Sequence, residues 1–122
     1  MLIDCFGIVE DGRVRKSTAE IEHHDQGRAI ATEAGMQAGI EAAVAGATEN
    51  EIGAAISAGM FRAGGEPPAV MPYVTSGPRT MIGHATWEGR TVQPGEHVFL
   101  EVGGCYPPLP HRHDAHGVVA AT

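Results

Sequence analysis

Met81-Ile-Gly-His-Ala-Thr-Trp-Glu-Gly-Arg-Thr-Val-Gln-Pro-Gly-Glu-His-Val-Phe-Leu-Glu-Val-Gly-Gly-Cys-Tyr106 joins a histidine in a glycine-flanked loop to a run of strand-forming residues. From His97 to Gly103 the pattern alternates, and a period of two places Val98, Leu100 and Val102 on one face of a strand and Phe99 and Glu101 on the other. Gln93-Pro-Gly-Glu96 is a tight turn leading into it. Most of what surrounds His84 and Glu101 is apolar or turn-forming, so these two ionisable groups are expected to face a cleft and not bulk water.

Upstream, Ala69-Val-Met-Pro-Tyr-Val-Thr75 is β-prone but carries Pro72, which predicts an edge or irregular strand. Ser76-Gly-Pro78 then turns the chain. Further back the texture is helical. Ser17-Thr-Ala-Glu20 is a capping box, predicting a helix from Thr18 that runs toward Ala45 through Ile21, Ile30, Ala31, Ala34, Ile40 and Val44. Gly27, Gly35 and Gly39 each cost such a helix about 1 kcal/mol relative to Ala, and small residues at that density predict close packing against another element. Thr48-Glu-Asn-Glu51 is a second capping box, followed by Ile52, Ala55, Ile56, Met60 and Ala63 at helical spacing and by Gly64-Gly65 as a stop. Residues 1 to 16 read as strand, turn and basic connector.

Composition narrows the possibilities. A chain of 122 residues suffices for one small domain and not for two. Eight basic against 15 acidic residues give a net charge of −7, which argues against nucleic acid or an anionic membrane as partner. No apolar run approaches the about 20 residues of a membrane span, and Met1-Leu-Ile-Asp-Cys-Phe-Gly7 lacks the form of a signal peptide. Cys5 and Cys105 have neither metal-type spacing nor the density of a disulfide framework. The expected compartment is the cytoplasm.

The order of Arg15-Lys-Ser-Thr-Ala-Glu-Ile21, a long helix, Gly46-Ala-Thr-Glu-Asn-Glu51, Ser76-Gly-Pro-Arg-Thr80, His84 and Pro94-Gly-Glu-His-Val-Phe-Leu-Glu-Val-Gly-Gly104 resembles the pita-bread family of creatinase, ectoine hydrolase, prolidase and aminopeptidase P. The resemblance implies an α+β chain with a partial pita-bread fold, two N-terminal helices packed on a small, mostly antiparallel sheet. It divides the sequence into a connector remnant (1–16), the N-terminal half of a catalytic domain (17–106) and a Pro/His-rich, non-homologous tail (107–122).

The resemblance also assigns roles. His84 matches the family histidine that faces the scissile bond, donating to a developing oxyanion or shuttling a proton, and an imidazole suits either task near neutral pH. Glu101 stands where the metal-dependent peptidases place their first aspartate ligand, and Glu101-Val-Gly-Gly-Cys-Tyr106 looks instead like the creatinase and ectoine hydrolase branch, which works without a metal. Two hard divalent cations need several closely set carboxylates, and one Glu is too few. Neither metal nor cofactor is therefore expected, and Glu101 would bind a cationic part of the substrate or position water. Arg79 either holds a substrate carboxylate through its fork of donors or makes a structural salt bridge. Tyr73, Trp87 and Phe99 are the aromatics nearest the cleft and read as core.

His111-Arg-His-Asp-Ala-His116 invites a metal reading, but its Pro-flanked segment has neither helical nor strand periodicity, and adventitious binding or a disordered tail is the expectation. His23-His24-Asp25 reads as helix surface. The metal-free branch typically follows Gly-Gly-Cys-x with a sequence like Arg-Arg-Tyr-His. The codons of Pro107-Pro-Leu-Pro110 read one base later can encode those residues, so a frameshift after Tyr106 would account for the tail.

The expected function is that of a fragment of a metal-independent C–N hydrolase acting on a small zwitterionic substrate, inactive alone. Alternatives are an Xaa-Pro peptidase-like metallopeptidase fragment, or a non-catalytic remnant or small dimerising module. A small-molecule substrate is the expected partner, with homodimerisation or self-association through an open sheet edge.

Overall fold

The computed structural model describes residues 6–27, 32–105 and 114–121. The alternating run forms a strand, β2 (Val98–Cys105), and it is central among the described strands. β1 (Tyr73–Ser76) pairs antiparallel on one side of β2, with Tyr73 opposite Glu101 and Val74 opposite Leu100. β3 (Asp114–Ala121) pairs antiparallel on the other, with Asp114 opposite Cys105 and Ala121 opposite Val98. Pro72 ends where β1 begins, which fits a strand that pairs with only one described neighbour.

Four helices precede the sheet: α1 (Ile8–Val14), α2 (Thr18–Gly27), α3 (Glu33–Ala42) and α4 (Glu49–Arg62). Both capping boxes form. Ser17 Oγ accepts from Glu20 N at 3.3 Å while Glu20 Oε2 accepts from Ser17 N at 2.7 Å. Thr48 and Glu51 make the same reciprocal pair at 3.2 and 2.7 Å. At the far end of α4, Gly64 adopts φ +89°, donating to Phe61 O while Gly65 donates to Met60 O. These two bonds make a Schellman stop, which a side chain at Gly64 would strain.

The core lies between α3, α4 and one face of the sheet. Met36, Ile52, Ile56, Met60, Val74, Val92, Val98, Leu100 and Val102 form one buried cluster, and burying an Ile or Leu completely contributes about 2 kcal/mol. The helices approach closely through their glycines. A Cβ on Gly39 would stand 2.6 Å from Ile56 Cγ1, and one on Gly59 would stand 2.7 Å from Ala34 O. The opposite face of the sheet carries Tyr73 and Glu101, which are cross-strand partners and so point the same way.

Three expectations need correction or limits. Residues 8–14 are helical where strand, turn and connector were expected. Asp11 N donates to Gly7 O at 2.8 Å, Glu10 and Asp11 sit in the first turn and Arg13 in the last, matching the helix dipole. α1 buries no residue, so it has no apolar stripe to betray it. The single helix expected from Thr18 toward Ala45 is observed as α2 and α3, the latter ending at Ala42, and residues 28–31 lie outside the described residues. β3 begins within the segment that lacked strand periodicity, and its pairing rests on the backbone of β2, which needs no side-chain pattern. His111, His113 and Cys5 lie outside the described residues. The chain is α+β, helices packed on a small antiparallel sheet.

Candidate functional site

After β1 the chain tightens into a 3-10 turn, Gly77–Met81, with Pro78 near its start. Gly77 has φ +56°, and a Cβ there would meet Glu96 Oε1 at 2.6 Å, so the turn requires glycine. The loop that follows carries His84 at φ +56°, the one described non-glycine residue with positive φ. Such a backbone costs on the order of 1 kcal/mol and persists only where its surroundings hold it.

His84 lies over the Tyr73–Glu101 pair. Its ring stacks on that of Tyr73 with centroids 5.2 Å apart and planes 19° from parallel. Its Nε2 is 3.5 Å from Glu101 Oε1, with the imidazole 72% exposed and the carboxylate 14% exposed. The strand register supplies two of the three groups and the loop delivers the third. A shallow hollow beside them is lined by Val70, Met71, Tyr73, Glu101 and Gly103. An imidazole and a shielded carboxylate at this separation can together engage one polar molecule, the first donating or accepting, the second accepting from a cation or a water.

Arg79 does not enter the hollow. Its Nη1 donates to Glu49 Oε2 at 3.1 Å and its Nη2 to Thr86 O at 2.7 Å, with Glu88 Oε1 at 3.1 Å. Of its two expected roles, the ion pair is present, with Glu49 and Glu88 as its partners. Trp87 packs on α4, 3.2 Å from where a Gly53 Cβ would stand, and edges the core. Tyr73 instead meets His84.

Glu49, at the start of α4, is the residue that the sequence reading missed. It is fully buried. Its Oε1 accepts from Ser76 N and Ser76 Oγ, both at 2.8 Å, and its Oε2 accepts from Arg79 Nη1 and from Glu88 N at 2.9 Å. The signal available was slight: an acid beside a capping box, with its cationic partner 30 positions away. Beside it, Arg90 forms a bidentate pair with Glu96 at 2.6 and 2.5 Å and donates to Ser76 Oγ at 2.9 Å. The hydrogen bond from Arg90, aided by Gln93 N, holds the Glu96 carboxyl below its ordinary value of 4.5, and Glu96 raises Arg90 in turn. At the α4 cap, hydrogen bonds from Thr48 N and its hydroxyl lower Glu51.

Residues 26–108 match metallopeptidase family M24. The chain belongs to that family. It is 30% identical over 99 residues to the Xaa-Pro dipeptidase of Pyrococcus furiosus, a match covering 81% of this chain and 28% of that protein. Its fold superposes on the X-Pro aminopeptidase of Thermotoga maritima with a TM-score of 0.76 at 28% identity, covering 92% of this chain and 31% of the other. On the prolidase of Pyrococcus furiosus the TM-score is 0.77 at 26% identity, covering 92% and 34%. The M24 chain thus spans about 28% of the length of the curated relatives it matches. These relatives bear Xaa-Pro peptidase names, whereas the resemblance drawn on Glu101 and Gly103-Gly-Cys-Tyr106 pointed toward the metal-independent branch. The relatives thus favour the Xaa-Pro peptidase alternative over the metal-independent reading.

A metallopeptidase family implies a metal, so the donor set is the test. Among the described residues no three His, Cys, Asp or Glu side chains gather closely enough to hold an ion. His84 and Glu101 supply two groups, short of the three or four protein ligands of a zinc site. The described M24 residues do not by themselves fit a metal.

Proposed function

We propose that this M24 chain carries one wall of an Xaa-Pro peptidase-type hydrolytic site, with His84 facing the bond to be cut. The observation that carries the reading is the placement of His84 over Tyr73 and 3.5 Å from Glu101, on the sheet face turned away from the helices. The 30% identity to an Xaa-Pro dipeptidase supports the substrate class. In hydrolysis, water adds to the amide carbonyl carbon, the C–N bond breaks and the leaving nitrogen takes a proton. His84 donates to the carbonyl oxygen as negative charge builds there, a task general to positioned imidazoles. Glu101, shielded but reachable, accepts from the substrate's terminal ammonium.

A second reading, a metal-free hydrolase of another C–N bond in a small zwitterion, draws on the stretch Glu101-Val-Gly-Gly-Cys-Tyr106. One chimera separates the two. Residues 26–108 replace the matching segment of the Pyrococcus furiosus Xaa-Pro dipeptidase, and proline release from Xaa-Pro dipeptides is followed beside hydrolysis of creatine. Dipeptide cleavage that falls by about a hundredfold or more in kcat on His84→Ala supports the proposal. A folded chimera in which His84→Ala leaves kcat unchanged, or one that cleaves only creatine, overturns it.

A further inference from the structure

Glu49 and Arg79 are the groups through which the fold holds the His84 loop. Glu49 is fully buried and accepts four hydrogen bonds, two to each oxygen, so no acceptor position is spare. Two of the donors are Ser76 N–H and hydroxyl, at the end of β1, the strand that carries Tyr73. The third is Glu88 N, four residues beyond His84. The fourth is Arg79, whose other nitrogen reaches Thr86 O, two residues beyond His84. One carboxylate therefore joins the root of the loop to its return, and the guanidinium extends that grip to within two residues of the imidazole. The loop's return is also laced to the start of α4, with Arg90 O accepting from Glu49 N at 2.9 Å and Ala47 O accepting from Val92 N at 2.9 Å.

Beyond the ring contact with Tyr73 and the approach to Glu101, His84 has little support of its own. It is 72% exposed, a Cβ on Gly83 would meet nothing within 4 Å, and Met81 and Ile82 are exposed. Its positive φ must nonetheless be maintained, and an exposed loop without tertiary anchors relaxes such a conformation. Trp87 packs its side chain against α4 and the core, and the backbone on either side of it is tied at Thr86 O and Glu88 N. Both ties lead to Glu49 and Arg79.

We infer that Glu49 and Arg79 are positioning residues for His84, acting through the loop backbone and touching no substrate. The role in turnover rests on the function proposed above; the structural consequence does not. Two substitutions probe it with different risks to folding. Glu49→Gln replaces an all-acceptor group with an amide whose nitrogen faces two donors, a buried mismatch that lowers stability. Arg79→Lys keeps the charge beside Glu49, but a single ammonium cannot also span to Thr86 O in the fork's geometry. Glu88→Ala is the control: it removes an exposed carboxylate and leaves the N–H that Glu49 binds.

The primary readout is the inter-ring nuclear Overhauser effect between Tyr73 and His84 in the full 122-residue chain. Arg79→Lys is expected to abolish it, Glu49→Gln likewise where that variant folds, and Glu88→Ala to retain it. A folded Arg79→Lys chain with lowered melting temperature and an undiminished effect overturns the inference, since the ion pair would then be merely structural. In the chimera, Arg79→Lys should lower kcat about tenfold, leave KM within about twofold, and add nothing to His84→Ala. Equal losses in both backgrounds overturn it too. Should His84 prove unnecessary for turnover, the function proposal falls while the ring contact still reports on positioning.

Discussion

At the scale of single residues, the close approach of α3 and α4 depends on what their glycines lack. A Cβ on Gly59 would lie 2.7 Å from Ala34 O and 2.8 Å from Ala38 Cβ, backbone and a short side chain that cannot rotate away. Gly59→Ala gains about 1 kcal/mol of helix propensity and incurs overpacking near the upper end of about 1–3 kcal/mol. The expected net is a loss of about 2 kcal/mol, measured by urea denaturation; unchanged stability would sink the account. Gly35→Ala should destabilise as well, because its Cβ would stand 2.4 Å from Met60 Cγ and 3.3 Å from the backbone Ile56 O. The density of small residues on α3 made this packing legible in advance. Glu49 was not legible, since nothing local distinguishes a carboxylate that turns inward to four donors from one that faces water. What decides its direction is Ser76, Arg79 and Glu88, brought to it by the fold.

Elements whose ends are fixed by neighbouring residues were the easiest to read. The box at the start of α4 is complete within four positions, and Thr48→Ala should destabilise the chain by about 1 kcal/mol in the same denaturation experiment. A loss below a few tenths would show the cap to be idle. The turn into β2 gives a pH prediction. Glu96 has its folded value lowered, chiefly by Arg90, so its contribution is present above the ordinary 4.5 and disappears as pH falls through the depressed folded value. Glu51, lowered by Thr48, acts with the same sign. Melting temperature should drop below pH 4.5 more steeply for the wild type than for Glu96→Gln; parallel curves would remove Glu96 from the acid response. α1 and β3 escaped the sequence for the opposite reason. One buries no face that would leave a periodic stripe, and the other is specified by a partner strand's backbone.

For the whole molecule, several large apolar side chains are exposed around the site residues. Val70 and Met71 border the hollow and are about half exposed, while Met81, 89% exposed, and Ile82 precede His84 in its loop. Phe6, Ile8, Val9 and Val14 are exposed at and around α1, and β1 pairs with only one described strand. No described helix is long and apolar enough to cross a membrane, so these groups are not explained as a span. Exposed apolar side chains and a strand edge without a described partner both favour association, each buried Å² contributing about 25 cal/mol. The chain's net charge of −7 opposes contact between copies through repulsion, which salt screens. The expected behaviour is therefore an oligomer whose population rises with both protein concentration and ionic strength. Size-exclusion chromatography with light scattering reads this directly. Met81→Glu with Ile82→Glu should return the chain toward monomer without lowering its melting temperature, because neither side chain is part of the core cluster. A wild type that stays monomeric at high concentration in high salt would show that the apolar rim around His84 and the β1 edge do not drive contact between copies.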